Sequence, residues 1–242
     1  VRGVSVVDEL QDSDESAFSV LKQAVNDSAK KRIDMALSKR VGGNKKEQFG
    51  FFWNPALVRL KGDVGTQMNA GIERDPGVAA FKAVDGFDFT LVAFHTRPTG
   101  DPLRQELHAL TPVFEAVQDQ DTKEQDVIFI GDFNAPPEDR KGQNDSIREN
   151  LGALGNRVAF AVRDAPTNVK QDKIFDNLFF DRSCTDEYID DGQHVVRIDT
   201  MLKKYKGAIP GKNEKAKVKW FYGNVLDHCP VYANFRADKD SD

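Results

Sequence analysis

The apolar run of residues 127–130 is the sequence feature that most restricts how this chain can fold. A strand with apolar side chains on both faces must be covered on both faces, as strands deep inside a sheet are. The run therefore predicts a sheet with a protected interior. With 242 residues, 39% of them hydrophobic, the chain is long enough to supply that cover without disulfide staples.

Short strands and amphipathic helices are predicted along the chain. The helical period of apolar residues predicts one helix over residues 17–30 and another from Leu103 to Val117, in which Pro112 implies a kink or a restart. Strands are predicted at residues 4–7, 49–53, 57–60, 78–84, 87–95, 127–130, 174–180 and 230–235, with hairpins at residues 54–55 and 85–86. This mixture of hairpins and helical connections predicts stacked sheets with helices outside, in a single domain over residues 1–242.

Composition and charge exclude several classes of protein. The formal charge of -5 argues against a basic nucleic-acid coat protein, although it is compatible with an enzyme that binds phosphate through a metal ion. No apolar run approaches the ~18 residues of a membrane span, so no membrane association is expected. The two cysteines, Cys184 and Cys229, exclude a disulfide-dense scaffold and a cysteine-based zinc cluster, while one disulfide and two thiols both remain open.

The ends of the chain and one charged segment leave questions open. The chain begins in a predicted strand, without an initiator Met and without the pattern of a signal peptide. We therefore expect native residues to precede Val1, and the compartment stays open. Residues 207–219 are Lys-rich, and the sequence leaves open whether they form a solvated surface or contact a substrate.

The clearest chemical signal directly follows the apolar run. Gly131 ends the predicted strand, and Asp132 and Asn134 follow it at a spacing of two residues. In an extended chain, residues two apart point to the same face, so both side chains would project together from a strand end. Gly, Asp and Asn also favour turns, and from these residues alone a turn is an equally good interpretation.

Two histidines also stand next to predicted strands. Asp227 and His228 precede the strand at residues 230–235, and His95 ends the apolar strand that begins at residue 87. An Asp–His pair at the start of a strand offers a metal ligand and an imidazole that titrates near neutral pH, although a solvated loop is the commoner explanation of such a pair by itself. His108 and His194 lack such a setting and are interpreted as surface or structural residues.

In their order along the chain, these motifs resemble those of the endonuclease/exonuclease/phosphatase superfamily and, within it, of the deoxyribonuclease I-like nucleases. Residues 131–134 resemble the family's GDFN motif, residues 226–231 resemble its SDHxPV motif, and His95 matches the histidine that ends its central strand. The other similarities are those of residues 175–178 to a YDxI element, 45–51 to a KERY-like segment, 74–76 to an Arg-x-Pro segment and 7–12 to the early QE motif. The matches follow the family's order over nearly the whole chain.

The resemblance implies an α/β (α+β) fold, a four-layer sandwich of two packed mixed β-sheets flanked by helices. The active site would lie at the rim where strand ends and loops meet. By the same resemblance, Glu9 is the principal carboxylate ligand of Mg²⁺ and Asp227 is a second carboxylate near the metal, with Mn²⁺ or Ca²⁺ as other candidates. Mg²⁺ prefers oxygen ligands and often binds only one or two protein carboxylates, which agrees with this assignment.

The resemblance also assigns catalytic roles. His228 would help to activate the attacking water or bind the scissile phosphate, with Asp176 orienting it. His95 would protonate the leaving oxygen, with Glu47 as its carboxylate partner. The remaining assignments are Asp132 and Asn134 as groups that position the nucleophile and the phosphate, and Arg74 as a phosphate contact.

Three departures from the family pattern bear on these expectations. The family's first strand, which carries an Asn near the metal and the phosphate, has no counterpart after Val1, so the sandwich is expected to lack that strand. Asp8 stands where the family has Gln, and its charge beside Glu9 would raise a nearby carboxylate pKa or strengthen cation binding. Leu226 replaces Ser in the histidine motif, a change that is expected to matter less.

Three functions compete on this basis. The leading hypothesis is a monomeric, Mg²⁺-dependent endonuclease that hydrolyses DNA phosphodiester bonds by in-line attack of water, with two His–carboxylate pairs. A phosphatase or phosphodiesterase of the same fold, acting on an inositol phosphate or a lipid, ranks second because the chain has no long apolar loop suited to a membrane lipid. A weakened or non-catalytic binding domain ranks third, and the missing first strand motivates it.

Overall fold

The computed structural model of the chain describes residues 3–11, 15–29, 32–44, 46–139, 145–192, 194–197, 210–213, 216–217, 219–220 and 227–240. Leu226 and residues 207–209, 214–215 and 218 of the Lys-rich segment lie outside these residues, so the expectations attached to Leu226 and to the whole segment stay predictions. Within the described ranges, no helix combines the length and the apolar character that crossing a membrane requires. Cys184 and Cys229 do not form a disulfide with each other.

Strands and helices form at most of the positions that the sequence patterns predict. The strands are β1 (Val4–Leu10), β2 (Asp34–Leu37), β3 (Gln48–Trp53), β4 (Val58–Thr66), β5 (Gly77–Ala83), β6 (Asp88–His95), β7 (Val127–Asp132), β8 (Val158–Phe160), β9 (Asp176–Asp181), β10 (Tyr188–Ile189) and β11 (Asn234–Phe235). The helices are α1 (Ser16–Ala29), α2 (Gly100–Gln118) and α3 (Ile147–Asn150). The short strands β2, β8 and β10 were not predicted, and the strand predicted at residues 230–235 is reduced to β11.

Two sheets form the centre of the molecule. The larger sheet has six strands in the order β4-β5-β6-β7-β9-β8, in which β6 and β7 are parallel and the other neighbours are antiparallel. The smaller sheet has the order β1-β3-β2 and is antiparallel throughout its described strands. The expectation of two mixed sheets therefore holds for the larger sheet only. Strands β10 and β11 form a separate antiparallel pair.

The hairpin predicted at residues 54–55 is wrong, whereas the pairing of β5 with β6 confirms the hairpin predicted at residues 85–86. Asn54 does close a turn, because its carbonyl oxygen accepts hydrogen bonds from the backbone of Leu57 and Val58 at 2.9 and 3.0 Å. However, β3 already has β1 and β2 on its two edges. Since no free edge of β3 remains, β4 crosses to the larger sheet and becomes an edge strand there.

Alternating side chains on β3 show how the layers are joined. Phe51 and Trp53 point into the space between the sheets and contact Phe81 of the larger sheet. Phe52 points to the opposite face and packs against Phe18 of α1. The apolar face of α2 covers the outer face of the larger sheet. The layers are therefore α1, the smaller sheet, the larger sheet and α2, which confirms the four-layer sandwich.

Helix α2 runs without interruption through Pro112, so the predicted restart at this residue is wrong. Pro112 lies on the exposed face of the helix, where water can hydrogen-bond the carbonyl group of His108 that a proline leaves unpaired. The continuous helix covers one face of the apolar run at residues 127–130 through Phe129, while Ile128 faces the smaller sheet. The run is thus covered on both faces, as its composition predicts.

Candidate active site

Three neighbouring strands of the larger sheet bring chemically active side chains to one rim. In the parallel pair β6 and β7, His95 stands opposite Asp132. In the antiparallel pair β7 and β9, Asp132 stands opposite Asp176. These residues end β6 and β7 and begin β9, so the strand register alone places one imidazole and two carboxylates side by side.

The turn after β7 depends on backbone conformations that few residues tolerate. Gly131 has a φ of 145°, and a Cβ atom at this position would lie 1.9 Å from the carbonyl oxygen of Phe94. Asn134 has a φ of 47°, in the left-handed region that Asn adopts more readily than most residues. Its backbone N–H donates to Oδ1 of Asp132 at 2.8 Å, and its side-chain amide donates to the carbonyl oxygen of Thr96 at 3.1 Å. The strand-end and turn interpretations of this motif are therefore both right.

A β-bulge in β1 brings two more carboxylates to this rim. The pairing of β1 with β3 shifts by one residue after Val7, so that Asp8 and Glu9 stand opposite a single residue of β3. Glu9 has a φ of 55°, which is uncommon for a residue other than Gly, and its Oε1 lies 3.1 Å from Nε2 of His95. Asp8 is half-buried, and its carboxylate interacts electrostatically with His95 and Asp176.

The first His–carboxylate pair predicted from the sequence forms around a buried glutamate. Nδ1 of His95 lies 2.8 Å from Oε2 of Glu47, and both residues are buried. Nε of Arg74 lies 3.2 Å from the same oxygen, and Nη1 of Arg74 donates to the carbonyl oxygen of His95 at 3.0 Å. Arg74 therefore holds this pair in place, and a direct contact between Arg74 and a phosphate stays a prediction.

The second predicted pair joins the start of β9 to a loop that is distant in the sequence. Nδ1 of His228 lies 2.8 Å from Oδ2 of Asp176 and 3.9 Å from Oδ2 of Asp132. Thr167, which is buried, ties the two sides together: its hydroxyl accepts a hydrogen bond from the backbone N–H of Asp176 at 3.1 Å, and its carbonyl oxygen accepts one from the N–H of Cys229. Sequence reasoning missed Thr167, and its place in a turn-forming Pro-Thr-Asn segment was the only signal available.

Two carboxylates of the rim are held in an environment that disfavours their charge. Burial, and then the neighbouring carboxylate of Asp176, raise the pKa of Asp132 to about 7, against the lowering effect of His228. Withdrawal from water between the sheets raises the pKa of Asp8 to about 6, with His95 opposing this shift and Asp176 adding to it. Glu9 contributes to the shift of Asp8, in agreement with the expectation that adjacent acidic residues here raise a carboxylate pKa, whereas the shift of Asp132 has other causes.

The pKa values of the two imidazoles are also raised, which for an imidazole favours the charged form. The hydrogen bond to Asp176 raises the pKa of His228 to about 9, although burial opposes the shift. Burial lowers the pKa of His95, but its hydrogen bond to Glu47 and the nearby Asp8 and Glu9 outweigh burial and raise that pKa above its ordinary value. The rim thus combines carboxylates that resist ionisation with imidazoles that retain protons.

Two groups of side chains at this rim have the composition of a metal site. The ligand atoms of Glu9, His95 and Asp132 lie within 4.8 Å of one another, and so do those of Asp132, Asp176 and His228. Both groups share Asp132 and supply mainly carboxylate oxygens, which suits a hard divalent cation. A cation would also offset the burial and the repulsion by Asp176 that raise the pKa values of Asp8 and Asp132. The donor set therefore fits a divalent cation.

Asp227 takes a different place from that of the other predicted site residues. Asp227 is exposed and belongs to neither ligand group. Its backbone carbonyl oxygen accepts a hydrogen bond from the N–H of Val169 at 2.8 Å. Its negative charge nevertheless contributes to the raised pKa of His228. The structure thus brings together Glu9, Glu47, Arg74, His95, Asp132, Asn134, Asp176 and His228, and leaves the carboxylate of Asp227 outside both ligand groups.

Sequence comparison relates the chain to curated proteins of one superfamily, although no family model matches it. It is 27% identical over 207 residues to the endonuclease/exonuclease/phosphatase family domain-containing protein 1 of Xenopus laevis, covering 81% of this chain and 34% of the relative. The protein of the same name from Bos taurus is also 27% identical over 207 residues, with 79% of this chain and 34% of the relative covered. The chain therefore spans about a third of the length of these relatives.

Structure comparison relates the fold to several solved hydrolase structures. The 3' phosphatase NExo from Neisseria bound to a product DNA hairpin has a TM-score of 0.60 and 13% identity, with 97% of this chain and 89% of that chain covered. The catalytic domain of human Nocturnin with a bound sulfate has a TM-score of 0.54 and 10% identity, covering 74% and 69%. The 2',3'-cyclic phosphatase ANGEL2 has a TM-score of 0.53 and 13% identity, covering 98% and 82%. Together with the curated relatives, these similarities confirm the resemblance to the superfamily that the sequence motifs indicated.

Proposed function

Because the chain has the fold of the endonuclease/exonuclease/phosphatase superfamily, we propose that it is a metal-dependent hydrolase of phosphodiester bonds, and specifically a Mg²⁺-dependent endonuclease that acts on DNA. The observation that supports this most strongly is the pair of hydrogen-bonded units His95–Glu47 and His228–Asp176, which flank Asp132 on the rim. Phosphodiester hydrolysis requires proton transfer at both the attacking and the leaving oxygen, and stabilisation of charge on the nonbridging oxygens. The rim has side chains suited to each task.

The ligand groups support the metal part of the proposal. Glu9 would hold the ion beside His95 and Asp132, the other members of its group, and Asp176 and His228 form the second group with Asp132. A bound divalent cation supplies Lewis-acid stabilisation of the charge that develops on the phosphate. We propose Mg²⁺ because carboxylate oxygens predominate among the donors, and Mn²⁺ is the alternative that best tolerates the imidazole.

The shifted pKa values suggest which side chain does what. His228, with a pKa of about 9, carries a proton at neutral pH, so its imidazolium would bind a nonbridging oxygen of the scissile phosphate while Asp176 holds the ring in place. Asp132, with a pKa of about 7, titrates near neutral pH and is suited to accept a proton from the attacking water. His95, oriented through Nδ1 by Glu47, would deliver a proton to the leaving oxygen.

A plasmid-nicking assay tests the proposal. Supercoiled DNA should be converted to the open circular form with Mg²⁺ and stay intact with EDTA. His228→Ala should reduce the rate by roughly 10²–10⁴-fold, as expected for the loss of one catalytic imidazole. His108→Ala is the matched control, because His108 lies on the exposed face of α2, and it should retain the wild-type rate.

The same assay separates the proposal from its competitors. Equal nicking with Mg²⁺ and with EDTA would contradict the metal dependence. Release of phosphate from an end-phosphorylated oligonucleotide, an inositol phosphate or a lipid, in the absence of nicking, would keep the hydrolase and replace the DNA endonuclease. Absence of all these activities in the folded protein would favour the binding domain.

A further inference from the structure

The bulge in β1 positions Asp8 as well as Glu9. Along this strand, Val4 and Val6 pack into the core between the sheets, and Val7 packs into the core under α1. Simple alternation then directs the next residue, Asp8, back towards the larger sheet. Asp8 therefore continues the inward row of Val4 and Val6, with a carboxylate where an apolar side chain would continue the core.

The extra residue of the bulge resets this alternation immediately afterwards. Leu10 packs against α1 on the same face as Val7, although residues three apart in a regular strand lie on opposite faces. The insertion therefore accommodates Asp8 and Glu9 between two residues that both face α1, and neither carboxylate is directed into that apolar core. Since β1 contacts β6 and β7, both carboxylates are near the rim that carries His95 and Asp132.

The cation that acts on Asp8 is the imidazole of His95, which Asp8 shares with Glu9 and Glu47. Among the described residues, no side chain donates a hydrogen bond to its carboxylate. Its neighbours include the carboxylates of Glu9 and Asp176, and the imidazole of His95 is already bound on both nitrogens. Arg74, whose guanidinium lies at this rim, is engaged by Glu47. One imidazole shared by three carboxylates leaves an excess of negative charge at this part of the rim, which a bound cation would neutralise.

We propose that Asp8 is an additional cation-binding carboxylate of this site, which strengthens the binding of a divalent ion held by Glu9 beside His95 and Asp132. The inference rests on the metal dependence in the proposed function and adds to it a residue that belongs to neither ligand group. Asp8 acts by its charge at the rim, either as a direct ligand or by orienting a water molecule of the ion. Side chains that support metal ligands in this way typically contribute about 10–100-fold to metal affinity.

Titration of the protein with Mn²⁺ alone, followed by electron paramagnetic resonance, tests the proposal without substrate. Asp8→Asn keeps the shape of the side chain and removes its charge, and it should weaken Mn²⁺ binding by about 10–100-fold. The matched control is Asp85→Asn, which removes one charge from the exposed turn at the end of β6 opposite to His95. Asp85→Asn should bind Mn²⁺ with wild-type affinity.

Thermal unfolding in EDTA provides a second measurement. If Asp8 only stabilised the fold, Asp8→Asn would lower the Tm of the metal-free protein. Because Asp8 adds to an excess of negative charge that no cation offsets in EDTA, Asp8→Asn should raise the Tm of the metal-free protein by roughly 2–4 °C, which corresponds to about 1 kcal/mol for a chain of this size. Wild-type Mn²⁺ affinity in Asp8→Asn, or a lowered Tm in EDTA, would overturn the role of Asp8. Tight Mn²⁺ binding by the wild type without any DNA hydrolysis would instead contradict the proposed function and leave the role of Asp8 standing.

Discussion

Nδ1 of His228 lies 2.8 Å from Oδ2 of Asp176, although 52 residues separate the two in the chain. The contact forms because Asp176 begins β9 at the rim, while the loop that carries His228 is tied to Thr167 through the backbone of Cys229. Its consequence is an imidazole that keeps its proton well above the pH at which histidine ordinarily loses it. The raised pKa of His228 is therefore the property of the rim that can be measured most directly.

The protonation of His228 can be followed by NMR titration of its ring protons in the metal-free protein. We expect a midpoint near 9, and Asp176→Asn should return it towards the ordinary value of 6.5. Because the pKa is raised in the folded state, the pair stabilises the fold fully below pH 6.5 and loses this contribution as the pH rises through about 9. A wild-type midpoint near 6.5 would contradict the assignment.

Asp132 should also make stability fall as the pH rises, but in a more acidic interval than His228 does. Its pKa is raised from 3.8 to about 7, so ionisation destabilises the metal-free fold, and stability falls as the pH rises through this interval. In EDTA, Asp132→Asn should therefore raise the free energy of unfolding at pH 8 by on the order of 2 kcal/mol, and by much less at pH 4. Urea denaturation at both pH values measures the difference. An equal effect at pH 4 and pH 8 would show that the charge of Asp132 is not its cause.

Glu9 should limit stability through its backbone as well as its charge. Its φ of 55° costs an ordinary residue about 1–2 kcal/mol, whereas Asn adopts this region more readily. Glu9→Asn should thus be more stable than Glu9→Ala by about 1 kcal/mol in EDTA, although both lose the carboxylate that faces His95. Both variants should bind Mn²⁺ more weakly than the wild type. Equal stability of the two variants, measured by thermal or chemical denaturation, would count against backbone strain at this position.

Gly131 should be irreplaceable for a steric reason. Gly131→Ala would place a Cβ atom 1.9 Å from the carbonyl oxygen of Phe94 at a φ of 145°, and we expect it to cost at least about 4 kcal/mol or to prevent folding. Gly65→Ala is the control, since nothing lies within 4 Å of its Cβ position and its φ is not in the left-handed region. It should change the free energy of unfolding by less than about 1 kcal/mol. Comparable losses in the two variants would exclude the clash as the cause.

Local sequence patterns were sufficient wherever a structural element depends on residues close together in the chain. The apolar run at residues 127–130 predicted a doubly covered strand, and the Gly-Asp-Phe-Asn motif predicted both the strand end and the turn that holds Asp132. The periodicity of α2 predicted its buried face, although Pro112 was given too much weight. These features follow from side-chain alternation and backbone preferences, which the sequence states directly.

The tertiary structure decided which distant residues meet. Nothing in the spacing of residues places β3 and β4 in different sheets, because that choice depends on both edges of β3 being occupied by β1 and β2. The bulge that brings Asp8 and Glu9 to the rim is a property of the pairing of β1 with β3. Likewise, Arg74 holds Glu47, and Asp227 stays outside the ligand groups, because loop paths fix where their side chains reach. Strand register and long-range pairing are set by the packing of the whole chain, and no local pattern encodes them.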